Sequence, residues 1–277
     1  MELSHDPVHE APLPSASIVL LRDGDRGLEV FLLRRHGSSS AFGGAHVFPG
    51  GKVDAADREL DAGRHLDLVP SLLPGHLGEP ELPLPDAIGL YVAAVRELFE
   101  ETGVLLAASD TDAQAPCRLS GLLQGGHSFH TALHRLDLRL QTTELAPWSR
   151  WITPLIPNFS RRRFDTRFFL AAMPTDQQAG HDNQEAVDST WLTPRAALQA
   201  YWDHLVRGYH LDAVGAPVAP LDAARVTAFL AEVEAADEVV AEATGIGHEV
   251  HLCSPSIAGA ALALDGTLVH LSAHALP

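Results

Sequence analysis

Residues Ser15 to Leu21 and Leu28 to Arg35 are two short runs rich in apolar and β-branched side chains, separated by Asp23-Gly24-Asp25-Arg26-Gly27. Two such runs around a glycine-bearing polar link predict a β-hairpin. A glycine-rich stretch follows, with Phe48-Pro49-Gly50-Gly51 leading into Lys52-Val53-Asp54, and predicts a strand entering a tight loop. From about Arg58 to Pro85 the pattern is irregular and broken by Pro70, Pro74, Pro80, Pro83 and Pro85, as in an inserted loop.

Helical periodicity returns at Ala87, Ile88, Tyr91, Ala94, Val95 and Leu98. Asp86 offers an N-cap for this helix and Gly103 a stop. Phe129, Ala132, Leu133, Leu136 and Leu140 predict a second amphipathic segment. Trp148 to Pro154 and Arg167 to Ala172 are expected to be strands. Further helices are expected over Arg195 to Leu205, which Pro194 would start, and over Leu221 to Ala243, where Val226, Phe229, Leu230 and Val233 share a face. The tail from Glu249 returns to short β-like runs.

Composition narrows the class. The 277 residues are 46% hydrophobic, enough for an ordinary core, and every apolar run is cut by a charge or a proline before it reaches the roughly 20 residues of a membrane span. Met1 to Pro14 has neither the basic start nor the apolar run of a signal peptide. Cys117 and Cys253 are too few for a disulfide framework, which fits a reducing cytoplasm. The formal charge of -17 would repel a nucleic-acid polymer, whereas a small phosphate ester can still bind where carboxylates hold cations.

The candidate chemistry lies in Arg96-Glu97-Leu98-Phe99-Glu100-Glu101-Thr102-Gly103-Val104. Glu97, Glu100 and Glu101 fall at i, i+3 and i+4, so a helix puts three carboxylates on one face. Like charges at that spacing destabilise a helix, and hard oxygen ligands suit Mg2+ or Mn2+. A solvated acidic face is the bland alternative. His127, His130 and His134 suggest a zinc site, but no cysteine or carboxylate nearby in sequence completes a ligand set.

With Gly50-Gly51 upstream, the glutamate segment resembles the signature of the Nudix superfamily. Arg96 through Val104 matches its second half residue for residue. The first half begins at Gly51, but Asp57 stands where a glutamate is expected, and the gap from Asp57 to Arg96 is much longer than usual. One branch carries such an insertion, namely the peroxisomal coenzyme A diphosphatases of animals and their bacterial relatives. His46-Val47-Phe48-Pro49-Gly50-Gly51, Trp151-Ile152-Thr153-Pro154 and Arg162 to Phe169 are similar to that branch.

The resemblance implies an α/β/α sandwich around a mixed β-sheet, spanning residues 15–205. Residues 1–14 would be a tail, 58–85 an insertion within the box, and 206–277 a helical C-terminal extension packed on the domain. It implies that Glu97, Glu100 and Glu101 bind Mg2+ or Mn2+, that Arg96 orients them, and that Glu100, Glu101 or Glu185 activates water. Gly50 and Gly51 would border the substrate, and Arg163 is the best phosphate ligand among Arg161, Arg162 and Arg163. The expected reaction is hydrolysis of the diphosphate in coenzyme A or an acyl derivative. NADH, ADP-ribose and other nucleotide conjugates are alternatives, as is a non-catalytic nucleotide sensor. The expected partner is thus a small nucleotide, with neither membrane nor polymer; a homodimer is compatible with the sequence and not required by it.

Overall fold

The computed structural model of the protein describes residues 9–25, 27–36, 46–108, 114–153, 162–182 and 186–197. Its centre is a seven-stranded mixed sheet. The expected hairpin is present as β1 (Leu13–Gly24) and β2 (Gly27–Arg35), turning where Gly27 takes φ 98, a backbone state that suits glycine. β3 (His46–Val47) extends β2, and β4 (Gly50–Lys52) pairs with the first half of β1, Ser15 opposite Lys52 and Ser17 opposite Gly50. β7 (Ala146–Ile152) and β8 (Phe164–Ala172) form an antiparallel pair, and β8 runs parallel to β1. β9 (Ala186–Leu192) closes the other side against β2. A separate two-stranded ladder joins β5 (Ala107–Ala108) to β6 (Arg139–Leu140).

Alternation along β1 sorts the two faces. Ala16, Ile18 and Leu20 point into the main core with Phe31, Leu33 and Phe169, whereas Val19, Val30 and Leu32 pack on the opposite face with Phe48, Trp148, Phe168 and Ala197. The helix that covers the main core is α4 (Leu84–Thr102), ended by Gly103 in the left-handed conformation at φ 75. It starts at Leu84, three residues earlier than an Asp86 cap implies. Pro83 occupies the cap position, and the Asp86 carboxylate instead accepts from Arg58 Nε at 2.7 Å.

Thirteen of the nineteen α4 residues are buried, far more than a one-sided amphipathic helix hides. The additional cover comes partly from the insertion, which is not the open loop that its prolines suggested. It begins at the end of α1 (Ala55–Arg58) and contains α2 (Ala62–His65), a 3-10 turn at Pro70–Leu72 and α3 (Leu73–His76). Leu66 and Leu73 are fully buried in the core, and His76 caps the buried Tyr91 hydroxyl at 2.6 Å. Glu79 ties the insertion to the sheet, accepting from Arg167 Nε and Nη2 at 2.9 and 2.7 Å and from Arg150 Nη1 at 2.9 Å. Proline here starts short helices, because a missing N–H is harmless in a first turn.

α5 (Ala115–Gln124) and α6 (Phe129–Leu136) pack together beyond α4. The second amphipathic segment thus ends at Leu136, with Ser128 as its N-cap. A helical turn follows Thr193, and the rest of the helix expected to Leu205 lies outside the described residues, as do the expected Leu221 to Ala243 helix and the tail.

Candidate metal and diphosphate site

The last turns of α4 carry Glu97, Glu100 and Glu101 past the Gly50-Gly51 segment of β4. Strand and helix approach so closely that a Cβ on Gly51 would overlap the Glu97 carboxyl group, and one on Gly50 would overlap Ser17 and the Ala16 carbonyl. Glycine is needed here for lack of a side chain. The Gly50 N–H donates to Glu101 Oε2 at 2.9 Å.

Arg96 is at the centre of the arrangement, its side chain only 8% exposed. Its Nη1 donates to Glu97 Oε1 at 2.8 Å and to Glu100 Oε2 at 3.1 Å. Nη2 donates to the Lys52 carbonyl at 3.1 Å and to Asp57 Oδ2 at 3.0 Å, and Nε donates to Asp57 Oδ1 at 3.0 Å. A guanidinium has five N–H donors, and these bonds employ all of them. One side chain therefore sets the positions of two glutamates relative to the β4 backbone.

Asp57 is fully buried, and each of its oxygens receives two donors. Besides Arg96, the Asp54 N–H reaches Oδ2 at 2.8 Å and His130 Nε2 reaches Oδ1 at 3.0 Å. Burial opposes its ionisation, but the hydrogen bonds from His130 and Arg96 and the Arg96 charge outweigh it and hold the carboxyl below the ordinary aspartate value. For Arg96, burial disfavours the charge, and Asp57, Glu97 and Glu100 outweigh it, so the guanidinium is even harder to deprotonate than usual. Burial raises Glu97 above the ordinary carboxylate value, with Arg96 opposing and Glu100 adding to the rise.

The donor set has the chemistry for a hard divalent cation, since Glu97, Glu100 and Glu101 present carboxylate oxygens on one helical face beside a strand segment without side chains. As they stand, the carboxylates are turned to Arg96 and Gly50, and among the described residues no three His, Cys, Asp or Glu side chains are gathered around one point.

Arg163 precedes Phe164, which pairs with Leu13 at the start of β1, and donates to the carbonyls of Thr153 at 2.9 Å and Glu10 at 3.3 Å. Glu185 lies outside the described residues. The three histidines do not converge. His127 contacts Arg135, His134 contacts Arg64, and His130 contacts Asp57. Sequence reasoning passed over this last pair because the partners lie 73 positions apart.

A family model described as the NUDT19 Nudix domain matches residues 70–206, and one described as the ARG and Rhodanese-Phosphatase-superfamily-associated Protein domain matches residues 160–274. Acyl-coenzyme A diphosphatase NUDT19 of Homo sapiens is 31% identical over 210 residues, which cover 63% of this chain and 56% of that protein. Its Xenopus laevis counterpart is 26% identical over 212 residues, covering 64% and 56%. The chain thus spans little more than half the length of these relatives. The crystal structure of a NUDIX hydrolase from Alicyclobacillus acidocaldarius is similar with a TM-score of 0.52 and 25% identity, over 72% of this chain and 85% of that one. By motif, fold and relatives together, the chain is similar to the Nudix hydrolase superfamily and, within it, to the acyl-coenzyme A diphosphatase branch.

Proposed function

We propose that the protein is a divalent-metal-dependent diphosphatase acting on coenzyme A or acyl-coenzyme A, giving 3',5'-ADP and the corresponding 4'-phosphopantetheine. The observation that carries the reaction class is the Arg96 fork, which holds Glu97 and Glu100 while the Gly50 N–H holds Glu101. The substrate class is supported by the similarity to the NUDT19 proteins and to their Nudix-domain model.

Mg2+ or Mn2+ held by Glu97, Glu100 and Glu101 would neutralise diphosphate charge and make a bound water more acidic. The chain's own residues supply the rest. Arg96 keeps Glu97 and Glu100 from swinging apart, and Gly50 and Gly51, lacking side chains, let the glutamate helix and β1 pack closely against β4. Glu100, Glu101 or Glu185 takes the proton of the attacking water as its oxygen bonds to phosphorus and the bridging P–O bond breaks.

The test is turnover of coenzyme A, acetyl-coenzyme A, NADH, ADP-ribose and nucleoside triphosphates, each with Mg2+ and Mn2+ at one pH. A higher kcat/KM for the coenzyme A compounds supports the proposal. Equal or higher values for NADH or ADP-ribose overturn the substrate, and no turnover of any compound overturns the enzyme.

A further inference from the structure

Outside the glutamate helix, a contact from α6 reaches the same network. His130 sits in the first turn of α6 with Ser128 as its cap, and its Nε2 lies 3.0 Å from Asp57 Oδ1. Because Asp57 is an ionised carboxylate that only accepts, Nε2 must carry the proton. The Asp57 carboxylate is thus gripped on both flanks, by the Asp54 N–H at Oδ2 and by His130 at Oδ1, while the Arg96 fork lies between. Those four bonds set the plane of the carboxylate, and through it the plane of the guanidinium whose Nη1 holds Glu97 and Glu100.

We infer that His130 is a positioning residue for the carboxylate cluster, acting through Asp57 and Arg96. Its hydrogen bond goes to Asp57 and not to the glutamates. Its imidazole closes the last acceptor position of Asp57, so the carboxylate has one orientation. Without that donor the carboxylate can turn about its own bonds, the fork follows, and Glu97 and Glu100 lose their fixed separation. Outer hydrogen-bond partners of this kind typically alter metal affinity or activity 10–100-fold. The inference rests on the proposed metal-dependent reading of the site.

The experiment compares the full-length wild type with His130→Phe, His130→Gln and Leu133→Val, measuring Mn2+ affinity by titration calorimetry and coenzyme A turnover. His130→Phe keeps a planar ring and removes the donor. His130→Gln keeps an N–H donor. Leu133→Val loosens α6 at a fully buried apolar position that carries no hydrogen-bond donor to Asp57. The expected result is Mn2+ binding about 10-fold weaker in His130→Phe, with a fall in kcat at nearly unchanged KM, recovery of most of both in His130→Gln, and wild-type affinity in Leu133→Val. Wild-type Mn2+ affinity and kcat in His130→Phe overturn the positioning role while leaving the metal reading intact. An equal loss in Leu133→Val overturns it too, since general loosening of α6 would then suffice. A wild type that neither binds Mn2+ nor turns over coenzyme A overturns the reading of the site itself, and this inference with it.

Discussion

Replacing Asp57 by asparagine tests the network on its own energetics. Each Asp57 oxygen accepts two donors, so an amide placed either way round turns its NH2 toward donors: Arg96 Nη2 and the Asp54 N–H on one side, Arg96 Nε and His130 on the other. Breaking one partner of a buried ion pair typically costs about 3–5 kcal/mol. Glu97 and Glu100 still face Arg96 in the variant, which places the expected cost near the lower end, about 3 kcal/mol. At about 2–4 °C per kcal/mol for a domain of this size, the melting midpoint should fall by about 6–12 °C. Asp57→Glu keeps both oxygens and the charge, and its added methylene costs about 1–3 kcal/mol by overpacking, so it should be the milder change. The pH dependence has a definite sign. The folded Asp57 pKa lies below the unfolded value of about 3.9, so its contribution is complete above that pH and is lost as pH falls through the folded value. Urea unfolding at pH 7, 5 and 3 should therefore show a constant gap between wild type and Asp57→Asn at the first two and a smaller one at the third. A variant within about 0.5 kcal/mol of wild type at pH 7, or Asp57→Glu more damaging than Asp57→Asn, would refute the reasoning.

The insertion should prove structural. Leu73→Ala is expected to cost about 2–5 kcal/mol in urea unfolding, and replacing residues 59–82 by a short linker should cost more, since it removes Leu66 as well; unchanged stability of the linker variant would return the segment to the status of a loop. Gly51→Ala places a methyl group against the Glu97 carboxyl and should lower turnover more than it lowers the melting midpoint, which parallel activity and thermal-unfolding measurements check.

Local order explains what was legible in the sequence. The hairpin, the α4 helix with its Gly103 stop and the glutamate face arise from near neighbours, and there apolar period and glycine position carry the information. The prolines of the insertion predict a loop, but they start short helices, and Leu66, Leu73 and Leu77 supply apolar cover for a helix that is apolar over most of its surface. The helix start shifted to Leu84 because Asp86 is engaged by Arg58, a partner 28 positions away. Asp57 was recognised as standing in the place of a glutamate, but its bonds to Arg96 and His130 bring together residues 39 and 73 positions apart, and no local pattern encodes such a pairing.

The central claim, that the α4 glutamates hold a catalytic cation, is tested most directly by Glu97→Gln, Glu100→Gln and Glu101→Gln. Glutamine keeps the size of the side chain and an oxygen for the Gly50 N–H or the Arg96 fork, so the fold should survive, while the negative charge a hard cation requires is lost. Thermal midpoints with and without Mg2+ or Mn2+ are measured beside coenzyme A hydrolysis. Bound metal should stabilise the wild type by about 2.7 kcal/mol at a hundredfold excess over its dissociation constant. The account predicts that each variant loses most of that stabilisation and turns over at least about tenfold more slowly. Full turnover in all three, with undiminished metal-induced stabilisation, would mean that these glutamates are a solvated face and would contradict the account.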